Sequence, residues 1–169
     1  YKQIDERIKK VEGFALSSPY GDGKSLGQPL GVKSIGLVKV YTESGAYGLG
    51  ETYSGVYAPE LVQPVVRFLE SYLVDRLIGD DLVFDDIKNI PFIGGHGLLQ
   101  SVFSAIEIAI WDVRGKILEV PTSQLINKNS RKSIPLYASS GTVIFTSDEI
   151  ISDVENILNL GYTAYKMRV

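Results

Sequence analysis

The fold class that the sequence predicts is an α+β domain leading into a parallel α/β unit, and three observations predict it. Between Val32 and Thr52 apolar and small residues alternate with others on either side of Ser44-Gly45, the mark of an antiparallel hairpin. From Ala58 to Leu73, and again from Gln100 to Leu118, the apolar spacing changes to the three-and-four pattern of helices. From Ile134 onward a short apolar run, a capped helix and a second apolar run follow one another. A crossover of that length joins parallel strands in the right-handed sense.

In chain order, Ile4 to Leu16 mixes charge with Ile8, Val11, Phe14 and Leu16 and reads as a first strand. Ser17 to Leu30 (SSPYGDGKSLGQPL) is rich in Ser, Gly and Pro and reads as a long loop, a length that compact domains keep for function or leave disordered. In the hairpin, Val32, Ser34, Gly36, Val38 and Val40 share one face. Tyr53 to Tyr57 forms a second irregular loop. The helix over Ala58–Leu73 carries Leu61, Val62, Val65, Leu69 and Tyr72 as its apolar stripe; Pro59 suits a first turn, while Pro64 costs an interior hydrogen bond. Asp80-Asp81 starts a short helix through Ile87, and Pro91 to Gly97 is a glycine-rich connection. The helix over Gln100–Leu118 places Val102, Phe103, Ile106, Ala109, Ile110, Val113 and Ile117 on a wide apolar face and Ser104, Glu107 and Arg114 on its polar face. A polar linker, residues 121–133, ends the first domain.

Beyond it, Ile134 to Ala138 is a strand ending in Ser139-Ser140-Gly141. Thr146 with Glu149 three residues on is a capping box for a helix bearing Ile150, Ile151, Val154, Ile157 and Leu158, and Gly161 ends that helix. In the strand that follows, Tyr165, Met167 and Val169 fall on one face and Lys166 and Arg168 on the other. Two cations about 6.6 Å apart on an otherwise apolar strand mark either a site or a water-facing edge protected against aggregation. Because the unit is parallel, both cations and Ser139 sit at carboxyl ends of strands, where parallel folds bind ligands.

Composition narrows the partners. Seventeen Lys plus Arg against 20 Asp plus Glu give a net charge of -3, so no broad attraction to nucleic acid or anionic lipid is expected, whereas a small anion can still be held locally. There are no cysteines, which removes disulfide frameworks, thiolate zinc sites and cysteine nucleophiles and fits a cytoplasmic location. No apolar run approaches the roughly 20 residues of a membrane span, and no signal peptide is visible. The first residue is Tyr1 rather than Met, which reads as a missing amino terminus.

Four stretches resemble the mandelate racemase and muconate lactonizing branch of the enolase superfamily. Gly48-Leu49-Gly50-Glu51-Thr52 is similar to its hairpin end, and Ser104 through Lys116 (SAIEIAIWDVRGK), followed by Val120-Pro121, to its long-helix signature. Ile134 to Ser139 resembles its first barrel strand and Gly161 to Val169 its second. Leu125-Ile126-Asn127-Lys128-Asn129 departs from the family's leucine-glycine-glycine. The resemblance implies an α+β capping domain (antiparallel meander plus helices) over residues 1–120, the linker 121–133, and the start of a (β/α) barrel over 134–169. Two strands of eight cannot close a barrel, so the chain is expected to be an enzyme's amino-terminal part, inactive alone.

It further implies a metal-dependent enzyme that abstracts the proton beside a substrate carboxylate, in which enolase-superfamily sites use a Lys or His base and Mg²⁺. Lys166 would be the general base, and Arg168 would tune it and help neutralise the carboxylate. The base must shed its own proton at neutral pH, which desolvation, Arg168 and a divalent cation would favour. Many relatives carry Lys-x-Lys; Arg168 stays protonated, which argues for one-base chemistry. Mg²⁺ ligands are expected on later barrel strands, beyond residue 169. Tyr20, Lys24, Tyr53 and Tyr57, in the two irregular loops, and Ser139 and Ser140, at the first strand end, are substrate-binding candidates, each with packing as the competing reading.

The remaining polar groups read as structural. His96 is a solvent-facing loop residue, Gly48-x-Gly50 ends a hairpin rather than cradling a dinucleotide, and Glu51, Glu107 and Asp112 are framework or cap residues by resemblance. The expected reaction is dehydration of an acid sugar to a 2-keto-3-deoxy acid by a homo-oligomer. A racemase, epimerase or cycloisomerase on the same scaffold is the near alternative, and a non-catalytic binding module the distant one.

Overall fold

The structure, a computed structural model, describes residues 4–19, 31–80, 85, 87, 89–90 and 96–168. It divides into two compact units, Tyr1–Lys128 and Asn129–Val169. Among the described residues no helix is long and apolar enough to cross a membrane.

The first unit is built on an antiparallel sheet of order β1-β2-β3: β1 Ile8–Pro19, β2 Val32–Thr42 and β3 Tyr47–Thr52. Strand β1 outruns its expected end at Leu16, because Ser17, Ser18 and Pro19 pair with Ser34, Lys33 and Val32. Partner length here overrides the low strand propensity of Ser and Pro, and Pro19 stands at the strand end, where its missing N–H is tolerated. The rest of the expected loop, residues 20–30, lies outside the described residues. Along β2 the inward positions Ser34, Gly36, Val38, Val40 and Thr42 are buried in strict alternation, as the period of a half-buried strand requires.

Helix α1, Pro59–Leu73, runs unbroken through Pro64. The proline's missing N–H would have served the Glu60 carbonyl, so one first-turn bond is lost and the helix survives. Its buried stripe is Val62, Val66, Leu69 and Leu73, and the expected Leu61 and Tyr72 are exposed. Spacings of four, three and four make one straight row on a continuous helix, whereas the expected set mixed two neighbouring rows. Tyr72 instead meets the Phe68 ring at the surface, centroids 5.6 Å apart. The expected short helix over 80–87 and the connection 91–97 fall mostly outside the described residues; Asp85 and Ile87 are helical and Ile87 is buried.

Helix α2, Gly97–Leu118, begins three residues before the expected Gln100 and buries Val102, Phe103, Ala105, Ile106, Ala109, Ile110 and Val113 against the sheet. Arg114, expected on its polar face, is only 6% exposed. Its Nε–H donates to the Ile78 carbonyl and its guanidinium lies 5.0 Å from the Trp111 ring. A long stem with a planar, weakly hydrated head suits such a place, which the helical period alone could not reveal. Arg114→Met keeps the stem and removes the donor; it should cost about 1–3 kcal/mol in urea denaturation, because the buried Ile78 carbonyl loses this partner. A five-residue helix α3, Thr122–Ile126, occupies part of the expected polar linker.

The second unit is β4 Ala138–Ser139, α4 Ser147–Asn159 and β5 Tyr165–Lys166. The strands are parallel, with Ala138 opposite Tyr165 and Ser139 opposite Lys166. They are shorter than expected, since Ile134 to Tyr137 are exposed and unpaired with β5. Helix α4 opens on the expected capping box: Glu149 N–H donates to Thr146 Oγ1 at 3.3 Å and Thr146 N–H to Glu149 Oε2 at 2.7 Å. The Thr146 N–H first, and then its hydroxyl, hold the Glu149 carboxyl below the ordinary value. A depressed carboxyl contributes stability above its unfolded value and loses it as pH falls through the folded one. By NMR titration Glu149 should ionise below a free glutamate in the wild type and rise towards it in Thr146→Ala.

The expected apolar stripe of α4 is not buried: Ile150, Val154 and Ile157 are half-buried, Ile151 and Leu158 are exposed, and Ala138 is the unit's only buried hydrophobic among the described residues. So short a segment cannot bury enough surface to form a core of its own.

Candidate active site

The site grows from the parallel pairing. Laterally paired residues project to the same face, so Ser139 and Lys166 share one side of the strands, and alternation adds Arg168 to it. Ala138 and Tyr165 take the other. Three rungs fix the strands: Ala138 N–H donates to Ala164 O at 2.9 Å, Ser140 N–H to Lys166 O at 3.1 Å, and Arg168 N–H to Gly141 O at 3.1 Å. A regular ladder would bring Arg168 to Ser140, so the last rung comes one residue late. Gly141, with φ +61°, turns the chain there. A side chain at this buried position would meet Tyr165 Oη at 2.5 Å, so both space and conformation demand glycine.

These strand ends border an open cleft of about 200 Å³ lined by Ser139, Ser140, Gly141, Thr142, Lys166, Met167 and Arg168. Its charged groups are both cations and its neutral polar side chains are hydroxyls, a donor set for an anion. Lys166 is exposed, so the desolvation expected of the base is not supplied by the described residues. On the opposite face Tyr165 Oη–H donates to Asp153 Oδ2 of α4. The Tyr165 hydroxyl first, then the Ser140 hydroxyl and the Gly141 N–H, hold the Asp153 carboxyl below its ordinary range, and the same Asp153 bond raises the Tyr165 phenol. Sequence reasoning missed this cluster, because Tyr165 sits at an apolar position of the strand pattern and Asp153 reads as a solvated helix residue.

Of the sequence candidates, the structure brings Lys166, Arg168, Ser139 and Ser140 to one cleft, with the Ser140 hydroxyl also engaged by Asp153. Tyr53 and Tyr57 lie in the first unit around a 3-10 turn, Tyr53–Val56, hydroxyls 3.3 Å and ring centroids 5.6 Å apart in an edge-on contact. That turn is tied to α2 through Thr52 Oγ1 and Ser101 Oγ, 2.8 Å apart, and both tyrosines are exposed. Tyr20 and Lys24 lie outside the described residues. Asp112 has a framework role: its Oδ2 accepts from Leu49 N–H at 2.8 Å and Lys116 Nζ at 2.7 Å. His96 precedes α2, is exposed and makes no side-chain cap.

The divalent cation implied by the resemblance finds no set of ligands here. Among the described residues no three His, Asp or Glu side chains come together to hold a metal ion. The cleft residues, hydroxyls and cations, do not fit one.

The sequence model of the mandelate racemase / muconate lactonizing enzyme N-terminal domain matches residues 28–127. A D-galactonate dehydratase family member from Paenibacillus sp. (strain JDR-2) is 32% identical over 139 residues, covering 79% of this chain and 33% of that protein. The chain thus spans about a third of the length of the curated relatives it matches. The crystal structure of the 3,6-anhydro-D-galactonate cycloisomerase from Zobellia galactanivorans superposes with a TM-score of 0.79 at 25% identity, over 96% of this chain and 43% of that one. That of an enolase superfamily member from Agrobacterium tumefaciens gives 0.82 at 24% identity, over 96% and 47%. With its antiparallel sheet, packed helices and long-helix signature, the chain belongs to the mandelate racemase / muconate lactonizing enzyme family and carries that family's N-terminal domain.

Proposed function

We propose that the chain is the amino-terminal part of a metal-dependent lyase that dehydrates an acid sugar to a 2-keto-3-deoxy acid. The observation that carries the reading is the shared face of Ser139, Lys166 and Arg168 at the carboxyl ends of two parallel strands. Lys166, as the neutral amine, takes the proton beside the substrate carboxylate. The electron pair left behind spreads into the carboxylate, and the fixed charge of Arg168 offsets part of it. The neighbouring hydroxyl then departs as water, carrying off a proton equivalent to the one Lys166 took and so restoring the neutral amine, and the resulting enol becomes the keto-acid. Ser139 donates a hydrogen bond to the substrate, and Tyr20, Lys24, Tyr53 and Tyr57 are the proposed specificity residues.

One side chain on this face accepts a proton and the other, a guanidinium, does not; that asymmetry favours dehydration over a two-base racemisation. The dehydratase relative supports the same choice. Mg²⁺ is the proposed cofactor of the full-length enzyme, held by residues other than those described here; when bound it supplies stabilisation of the charge that develops on the carboxylate.

The test incubates the full-length enzyme and Mg²⁺ with a panel of acid sugars. Formation of a 2-keto-3-deoxy acid is the expected outcome. Solvent deuterium in an inverted stereocentre, with no keto-acid, would favour the racemase or epimerase reading. No conversion and no exchange on any sugar would favour a binding module.

A further inference from the structure

Two faces of the β4–β5 pair carry different chemistry. One presents Ser139, Lys166 and Arg168 to the cleft; the other turns Tyr165 towards α4, where its hydroxyl donates to Asp153 Oδ2. The Ser140 hydroxyl and the Gly141 N–H reach the same carboxylate. One side chain of the helix therefore binds both strand ends: β4 through Ser140 and Gly141, β5 through Tyr165. The backbone repeats the coupling, because Ser140 N–H donates to Lys166 O and Arg168 N–H to Gly141 O, each at 3.1 Å. Lys166 and Arg168 thus flank a rung whose partner loop is held by Asp153.

We propose that Asp153 is a positioning residue: through Tyr165, Ser140 and Gly141 it fixes the two strand ends, and so sets Lys166 and Arg168 at the spacing the reaction needs. The inference rests on the reading of Lys166 as the base. Asp153 lies on the far face of the strands and does not touch the substrate. Tyr165, next to the base in sequence, serves as the strut and not as a second proton acceptor. Ser140 belongs to the same brace, which leaves Ser139 as the hydroxyl that meets substrate. The geometry also accounts for Gly141, since any side chain there would push into the Tyr165 hydroxyl.

The experiment compares Asp153→Ala, Asp153→Asn and Val154→Ala in the full-length enzyme, reading backbone hydrogen exchange and steady-state kinetics side by side. Val154 is half-buried on the same helix and outside the brace. Asp153→Ala should speed exchange at the Ser140 and Arg168 amides at least tenfold, because the freed strand ends open locally more often, and lower kcat by about 10- to 100-fold with KM within about twofold. Asp153→Asn, still an acceptor for both hydroxyls, should recover most of the rate, and Val154→Ala should leave both readouts near wild type. Unchanged exchange or unchanged kcat in Asp153→Ala would overturn the proposal, as would a change confined to KM or an equal loss in Val154→Ala. Lys166→Ala, run alongside, separates the two readings. If it keeps turnover, the base is wrong whatever Asp153 does. If it is inactive while Asp153→Ala is normal, the base stands and the brace falls.

Discussion

Gly50→Ala is expected to cost the first unit about 3 kcal/mol, the upper end for overpacking, because the new methyl has nowhere to go. A Cβ on Gly50 would lie 1.9 Å from the Ala105 carbonyl oxygen, and one on Gly48 1.9 Å from that of Ala109. Both obstacles are backbone of α2, which side-chain repacking cannot relieve. The two glycines occupy inward positions of β3 and let the long helix lie directly on the strand. Gly45→Ala is the control. Its φ of +88° strains any other residue, yet nothing stands within 4 Å of the added carbon, so it should cost only about 1–2 kcal/mol. Urea denaturation of the three proteins checks the ordering, and a Gly50→Ala loss no larger than that of Gly45→Ala would contradict the close approach.

Lys166→Ala is expected to lower turnover by the full-length enzyme by roughly two to four orders of magnitude, the usual worth of a general base. The side chain is exposed at the open cleft, so folding should be little affected and the loss should be one of chemistry. Arg168→Lys retains the charge but not the planar fork, and should be impaired less than Lys166→Ala while remaining below wild type. Steady-state kinetics with thermal melts of each variant distinguish lost chemistry from lost fold.

Much of this was legible from residues alone, and the misses share physical causes. The hairpin, its buried alternation and the capping box at Thr146 are local patterns, each set by period or by a three-residue spacing. The expected α1 stripe places Val62 and Leu69 correctly but takes Leu61 and Tyr72 in place of Val66 and Leu73, because two apolar rows adjoin on that helix and only the sheet decides which turns inward. Arg114 reads as surface by type, but its place depends on Ile78, 36 residues away. The short reach of β4 and β5 and the bare face of α4 arise because periodicity states which face needs cover without supplying the cover. At the candidate site, Lys166, Arg168 and Ser139 could be placed from strand order, whereas the Tyr165–Asp153 bond spans a helix and a turn and has no sequence period to betray it.

The most direct test of the account uses an acid sugar deuterated beside its carboxylate and follows release of the label to water by full-length wild-type and Lys166→Ala enzymes at saturating substrate. Rapid release by the wild type is expected, and release slower by about 100-fold or more in the variant, with substrate binding and melting temperature retained. Release at the wild-type rate from the Lys166→Ala enzyme would contradict it.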